Sequence, residues 1–256
     1  MIKRIVVRTL FIVVCFLFFV VYLAPANKLV SMIDLPKSVK LYDVRGDLWN
    51  GHVGTMDVDK LRLSNINWKL NVFTLFFSKG MTVNIKDPEV LNGSFDVNVL
   101  KLNKEIRFQG IKLDSYIEKV LPLVNMPYPL KAEGFVKFYA DSMVLDTNGN
   151  LQNIDGDAVF SDVLIQHPFD SSNYIDLGTI NVNIKGNMKN LVITIAQDSD
   201  ICSFNGNIKL NNFSRYELEA LLKPKSSIPD NVASLISMLG KPGSDGQITL
   251  NYKGNI

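Results

Sequence analysis

Apolar and polar side chains alternate with a period of two along most of this chain. Cys202, Phe204, Gly206, Ile208 and Leu210 interleave with Ser203, Asn205, Asn207 and Lys209, so one face is apolar and the other polar. The same period runs through Phe95, Val97 and Val99, through Leu191, Ile193 and Ile195, and through Tyr216, Leu218, Ala220 and Leu222. It returns in Ile248, Leu250 and Tyr252. Residues that tolerate tight or left-handed backbone punctuate these runs: Lys86-Asp87-Pro88, Asn148-Gly149-Asn150, Gly186-Asn187 and Asn211-Asn212. The pattern predicts half-buried antiparallel strands joined as hairpins or meanders.

Two stretches follow helical spacing instead. Asp114 to Leu123 places Ile117, Val120 and Leu121 on one side after an aspartate cap, and Pro122 stops it. Pro229 to Leu239 sets Val232, Leu235, Ile236 and Leu239 at three-and-four spacing, with Gly240 just past the end. Both are too short for a coiled coil and are expected to cover an end or face of the sheet. The proline cluster near residues 122–130 is the candidate seam between two strand-rich halves.

The N-terminus breaks the period altogether. From Leu10 to Leu23 no side chain is charged or strongly polar, and Lys3, Arg4 and Arg8 precede the run. A helix of a soluble core carries a polar face; this segment has none and is suited to hydrocarbon. Two readings stand. Ala24-Pro25-Ala26 resembles a signal-cleavage site, whereas counting from Ile5 gives about twenty-two residues, enough to cross a bilayer core. Length, the bulky phenylalanines and the interfacial position of Tyr22 favour a retained anchor over residues 9–26. The preceding cations then keep residues 1–8 inside and place residues 27–256 on the far side of the membrane.

Composition narrows the chemistry. With 27 Lys and Arg against 25 Asp and Glu the net charge is +2, which leaves no basic field for nucleic acid. Cys15 lies in the apolar run and Cys202 stands alone beyond it, so no disulfide joins two exported cysteines. His52 and His167, the two histidines, share no metal-ligand spacing with Cys202 and read as surface loop residues. Asp57-Val58-Asp59 and Asp155-Gly156-Asp157 lack the rest of a calcium loop and read as solvated strand ends. No nucleophile elbow or phosphate loop is present, so the reading is a non-enzyme without cofactor or metal.

Distinctive residues cluster elsewhere. Val44-Arg45-Gly46-Asp47-Leu48-Trp49-Asn50-Gly51 follows the strand expected over Val39 to Val44, its glycines permitting a turn and Trp49 fixing that turn against the sheet. Ile66, Trp68 and Leu70 then share one face of a strand. Near the far end, Gly240, Pro242, Gly243 and Gly246 form a glycine-rich loop opening a last strand that ends near Gly254. In their order and spacing these features resemble the type II secretion system protein N family, also called general secretion pathway protein N. Gly46, Trp49, Gly51, Trp68, Gly240, Pro242, Gly246 and Gly254 are the matched positions.

The resemblance covers nearly the whole chain. It implies an inner-membrane accessory component of the machine that moves folded periplasmic proteins across the outer membrane. Its partners would be other secretion components, met by protein contact and without catalysis. The expected architecture is one N-terminal transmembrane helix and a curved antiparallel sheet, an open half-barrel or groove, with two short helices. The AsmA-like group of anchored periplasmic proteins is similar in outline, and the alternative it implies is an apolar groove that carries lipid.

Overall fold

A computed structural model describes residues 10–13, 15–16, 19–20, 22–32, 38–59, 61–70, 80–100, 105–123, 131–167 and 170–255. Contacts divide the chain into two units, Met1–Asp87 and Pro88–Ile256. The seam expected near residues 122–130 falls largely outside the described residues.

In the first unit the described residues from Leu10 to Tyr22 are helical, and Leu10, Phe11, Ile12, Phe16, Phe19 and Leu23 are exposed. Among the described residues no helix is long and apolar enough to cross a membrane. Residues 9, 14, 17, 18 and 21 of the expected 9–26 span lie outside the description. A short helix α1 (Ala26–Ser31) follows, then β1 (Val39–Gly46), β2 (Asn50–Val58), β3 (Leu61–Leu70) and β4 (Met81–Lys86), each antiparallel to its neighbour. Val53, Leu63, Ile66, Val83 and Ile85 are buried. Leu63 and Ile66 are three apart, an odd step that period two forbids. The reason is Asn65, whose left-handed φ of 52° kinks β3, as Asp43 at 55° kinks β1. Asp and Asn tolerate this conformation because their short polar side chains bond locally. The carboxylate of Asp87 closes the unit: it is buried, and it accepts from the Ser64 backbone N–H at 2.6 Å and from its hydroxyl at 2.8 Å.

The second unit is a meander of nine strands in chain order. These are β5 (Leu91–Leu100), β6 (Glu105–Tyr116), β7 (Ala132–Asp146), β8 (Leu151–His167), β9 (Asp170–Gly186), β10 (Asn190–Asp198), β11 (Cys202–Asn211), β12 (Arg215–Pro224) and β13 (Ile248–Asn255). Every described pairing is antiparallel, and the expected strands are present. The first helix differs from expectation. β6 continues through Tyr116, Asp114 pairs with Lys137 inside the ladder, and only α2 (Ile117–Val120) and a 3-10 turn (Leu121–Leu123) are helical. Asp114 is therefore a strand residue and caps nothing. Its strand partners outweigh a weak local capping preference. Ile117 seals a small core with Ala132 and Val163. The second helix, α3 (Asp230–Leu239), matches its expected span to one residue and buries Val232 and Ile236 against Ala220, Leu222, Ile248 and Leu250.

Three surface readings change. His52 lies in β2, half-buried, with Nδ1 3.0 Å from the Asn67 side-chain oxygen, and His167 is buried at the end of β8. Neither is a surface loop residue: β2 runs through Gly51 and His52 to Val58, and β8 extends to His167, which pairs with Asp170. Asp155 and Asp157 lie within β8 rather than at its end, facing Lys185 at 3.3 Å and the Asn183 amide at 2.7 Å across the β8–β9 ladder.

Candidate functional site

The Gly46 to Gly51 segment is the turn between β1 and β2, and its chemistry is shared with another hairpin. The Asp47 carboxylate accepts from the Trp49 and Asn50 N–H groups at 2.8 and 2.7 Å, while the Asp47 N–H donates to the Asn50 carbonyl at 3.0 Å. Between β9 and β10 the Asn187 side-chain oxygen accepts from Lys189 and Asn190 in the same way, and the Asn187 N–H donates to the Asn190 carbonyl at 3.0 Å. A glycine precedes each turn: Gly46 at φ +88° and Gly186 at φ +131°. A Cβ there would lie 2.3 Å from the Asn50 carbonyl or 2.1 Å from that of Asn190. Gly46, Asp47 and Asn50 are thus explained by turn closure, an Asx turn within a hairpin. The repeated Gly-Asx-x-x-Asn pattern was available in the sequence as the signal for both.

What turn closure leaves unexplained is Trp49, Gly51 and Trp68. Gly51 and Trp68 are register partners on β2 and β3, and the Trp68 indole lies directly over Gly51. A Cβ at Gly51 would fall 1.8 Å from Trp68 Cζ2. So placed, Trp68 Nε1 donates to the Leu48 carbonyl at 3.1 Å and ties β3 to the turn. Trp49 is 7% exposed, and its backbone carbonyl accepts from Leu70 at 2.7 Å. Its indole turns towards the N-terminal segment, donating to the Tyr22 carbonyl at 3.0 Å with the two rings 5.7 Å apart. Pro25 forms a bridge with Asp47, and Ala26 is 1% exposed.

The other matched residues shape the end of the second unit. Gly240 abuts Ile248, Gly246 at φ +74° closes the loop by donating to the Gly243 carbonyl at 3.0 Å, Pro242 lies in that exposed loop, and Gly254 sits under the Tyr216 ring. The eight positions thus fall into two groups, four in each unit. Beside the second group lies a feature that alternation alone did not reveal, an apolar groove of about 590 Å³ between α3 and the inner face of β9 to β13. Ile175, Phe204, Leu222, Leu235, Ile236 and Leu250 line it, and the exposed Met238 and Leu239 stand at its margin. Its polar atoms are turned on each other: Gln197 Nε2 donates to the Leu177 carbonyl at 2.9 Å, and Cys202 Sγ donates to Gln197 Oε1 at 3.7 Å. Burial pushes the Cys202 thiol up, so it stays protonated at neutral pH and acts as wall rather than nucleophile.

No cluster of three or more His, Cys, Asp or Glu residues able to hold a metal occurs among the described residues. The described residues define a class of mainly antiparallel β protein whose distinctive residues serve turns, a ring-on-glycine contact and an N-terminal tie. Comparison with known proteins makes that specific. The model of the family described as type II secretion system (T2SS), protein N, matches residues 37–251, and the chain belongs to that family. Three relatives carry the name type II secretion system protein N. That of Aeromonas hydrophila is 26% identical over 258 residues, covering 99% of each chain. That of Vibrio cholerae is 21% identical over 246 residues, 91% of each, and that of Pectobacterium carotovorum 21% over 233 residues, 91% of this chain and 90% of the relative. No solved structure matches. Family membership makes the chain a component of the type II secretion system.

Proposed function

We propose that this chain is a single-pass inner-membrane accessory component of the secretion machine, with its strand-rich units in the periplasm and its action by protein contact rather than catalysis. The observation that carries the reading is the family match over residues 37–251 behind an apolar N-terminal segment. Exposure of Leu10, Phe11, Phe16 and Phe19 on that segment's helical residues supports the membrane part, since such side chains need an apolar solvent. An anchor confines the units to the membrane plane and raises their effective concentration near other anchored components. Strand addition suits such contact: among the described residues β13 pairs with β12 alone, leaving one edge of main-chain groups able to receive an extended segment. The test is deletion of the gene, complemented either by the full chain or by a form exported to the periplasm without residues 1–24. Secretion of folded proteins should fall on deletion and be restored by the full chain only. Unchanged secretion in the deletion strain refutes the accessory role, and full rescue by the anchorless form refutes the anchor's part in it.

A second reading is favoured by the groove between α3 and the sheet. Its volume, about 590 Å³, and its apolar walls would suit an acyl chain, and an exposed apolar surface of this kind marks a binding site more often than chance. Lipid retained by the detergent-free protein and identified by mass spectrometry would favour carriage. Its absence, together with cross-links to secretion components, favours the accessory role.

A further inference from the structure

We propose that the β1–β2 turn, with Trp49 at its tip and Trp68 behind it, is a dock for the chain's own N-terminal segment, so that this segment remains a permanent structural partner of the first unit. Turn closure accounts for Gly46, Asp47 and Asn50, and it recurs at Gly186, Asn187 and Asn190 without any tryptophan. The tryptophan at this one turn therefore serves something else. Tyr22 is the last helical residue of the apolar segment, and its carbonyl lies in the closing turn, where a side-chain donor can reach it. Trp49 Nε1 supplies a donor to the Tyr22 carbonyl at 3.0 Å. At the edge of hydrocarbon, where water is scarce, an unmet carbonyl is costly and an indole is the side chain that combines a donor with a large apolar body. The Tyr22 ring packs 5.7 Å from the indole, Pro25 bridges to Asp47, and Ala26 is sealed to 1% exposure.

Trp68 completes the device. Its ring lies over Gly51 and its Nε1 holds the Leu48 carbonyl, the residue next to Trp49, so the turn is fixed before the segment meets it. The arrangement also bears on processing. Cleavage after Ala26 would remove the residues that Trp49 and Asp47 hold, taking from the indole both its acceptor and the Tyr22 ring beside it. The dock is a receptor for a segment that stays.

The inference rests on the anchor reading only for where the protein lies, and its test has a different readout. Full-length protein carrying Ala26→Cys, with Cys15→Ser and Cys202→Ala, is reacted in membranes with a maleimide. A second protein carries Ser31→Cys, at an exposed position of the same short helix. Intact mass is expected to include residues 1–26, and the Ala26→Cys thiol to react far more slowly than the Ser31→Cys thiol. Adding Trp49→Phe, which keeps the ring and removes the donor, should speed the Ala26→Cys reaction about tenfold, the ratio set by one buried hydrogen bond. Tyr22→Ala, which keeps the carbonyl and removes the ring, gives a second route to the same acceleration. Backbone hydrogen exchange in β3 and β4 should stay unchanged, which separates undocking from unfolding. A mature chain starting at Asn27, equal reaction of the two thiols, or no acceleration in either variant overturns the proposal. Membrane fractionation and secretion assays report separately on the anchor and accessory readings.

Discussion

Replacing Gly51 by alanine is a small chemical change with a large expected consequence. The new methyl would sit 1.8 Å from Trp68 Cζ2 and 2.2 Å from Cε2 and Cη2, against ordinary carbon contacts of about 3.5–4 Å. The indole must therefore withdraw by roughly 1.5–2 Å. Its Nε1 cannot follow the Leu48 carbonyl, now 3.1 Å away, because that acceptor belongs to the turn held by Asp47. Overpacking costs about 1–3 kcal/mol and the lost bond about 1 kcal/mol, while alanine recovers about 0.5 kcal/mol by restricting the unfolded chain. The balance is a destabilisation of about 1.5–3.5 kcal/mol. Trp49 and Trp68 are the two tryptophans of the chain, and both lie in the first unit. Urea titration of the full-length protein in detergent, followed by their fluorescence, thus reports on that unit. In a Trp68→Leu background, read from Trp49 alone, the same Gly51→Ala change should cost below about 0.5 kcal/mol, because its obstacle is gone. Equal costs in the two backgrounds would refute the ring-on-glycine account.

Asp87→Ala leaves the Ser64 N–H and hydroxyl without their buried acceptor, and should lower stability of the first unit by about 2–3 kcal/mol in the same titration. Ile248→Ala, at a position 1% exposed beneath α3, should cost about 2–5 kcal/mol, read as faster hydrogen exchange in β12, β13 and α3. The Arg62 guanidinium donates to both Asp57 oxygens at 2.7 and 3.0 Å and holds that carboxyl below its ordinary value. A folded-state pKa below the unfolded one means that the contribution is present above the unfolded pKa and is lost as pH falls through the folded one. In Arg62→Gln the Asp57 titration midpoint, followed by NMR, should rise towards the ordinary carboxylate value while neutral-pH stability barely moves, since the pair is exposed.

Strands were legible because a half-buried antiparallel strand writes its burial directly as alternation: Cys202 and Gly206 are buried while Asn205, Asn207 and Lys209 are exposed. The α3 span was legible from its apolar spacing and terminal Gly240. The Asp114 helix was not, because whether a residue continues a ladder depends on Lys137, twenty-three positions away and invisible to local spacing. His52 escapes local spacing for the same reason, since its partners Arg45 and Asn67 carry β2 past Gly51, whereas His167 is the last residue of β8 and its burial comes from packing that a neighbouring proline does not report. The kinks at Asp43 and Asn65 left only weak marks, since Asp and Asn serve equally well on solvated faces.

By itself, the sequence determined the strand-rich class, the apolar N-terminal segment and the family, because periodicity, hydropathy and motif order are properties of the linear chain. Only the tertiary structure decided what the motif is made of. It separated Gly46, Asp47 and Asn50, which any such hairpin needs, from Gly51 and Trp68, which pack on each other, and from Trp49, which meets the N-terminal segment. It also assembled the groove against α3, whose walls come from strands far apart in the chain. Such contacts are set by which surfaces meet after the strands pair, and no local pattern encodes that meeting.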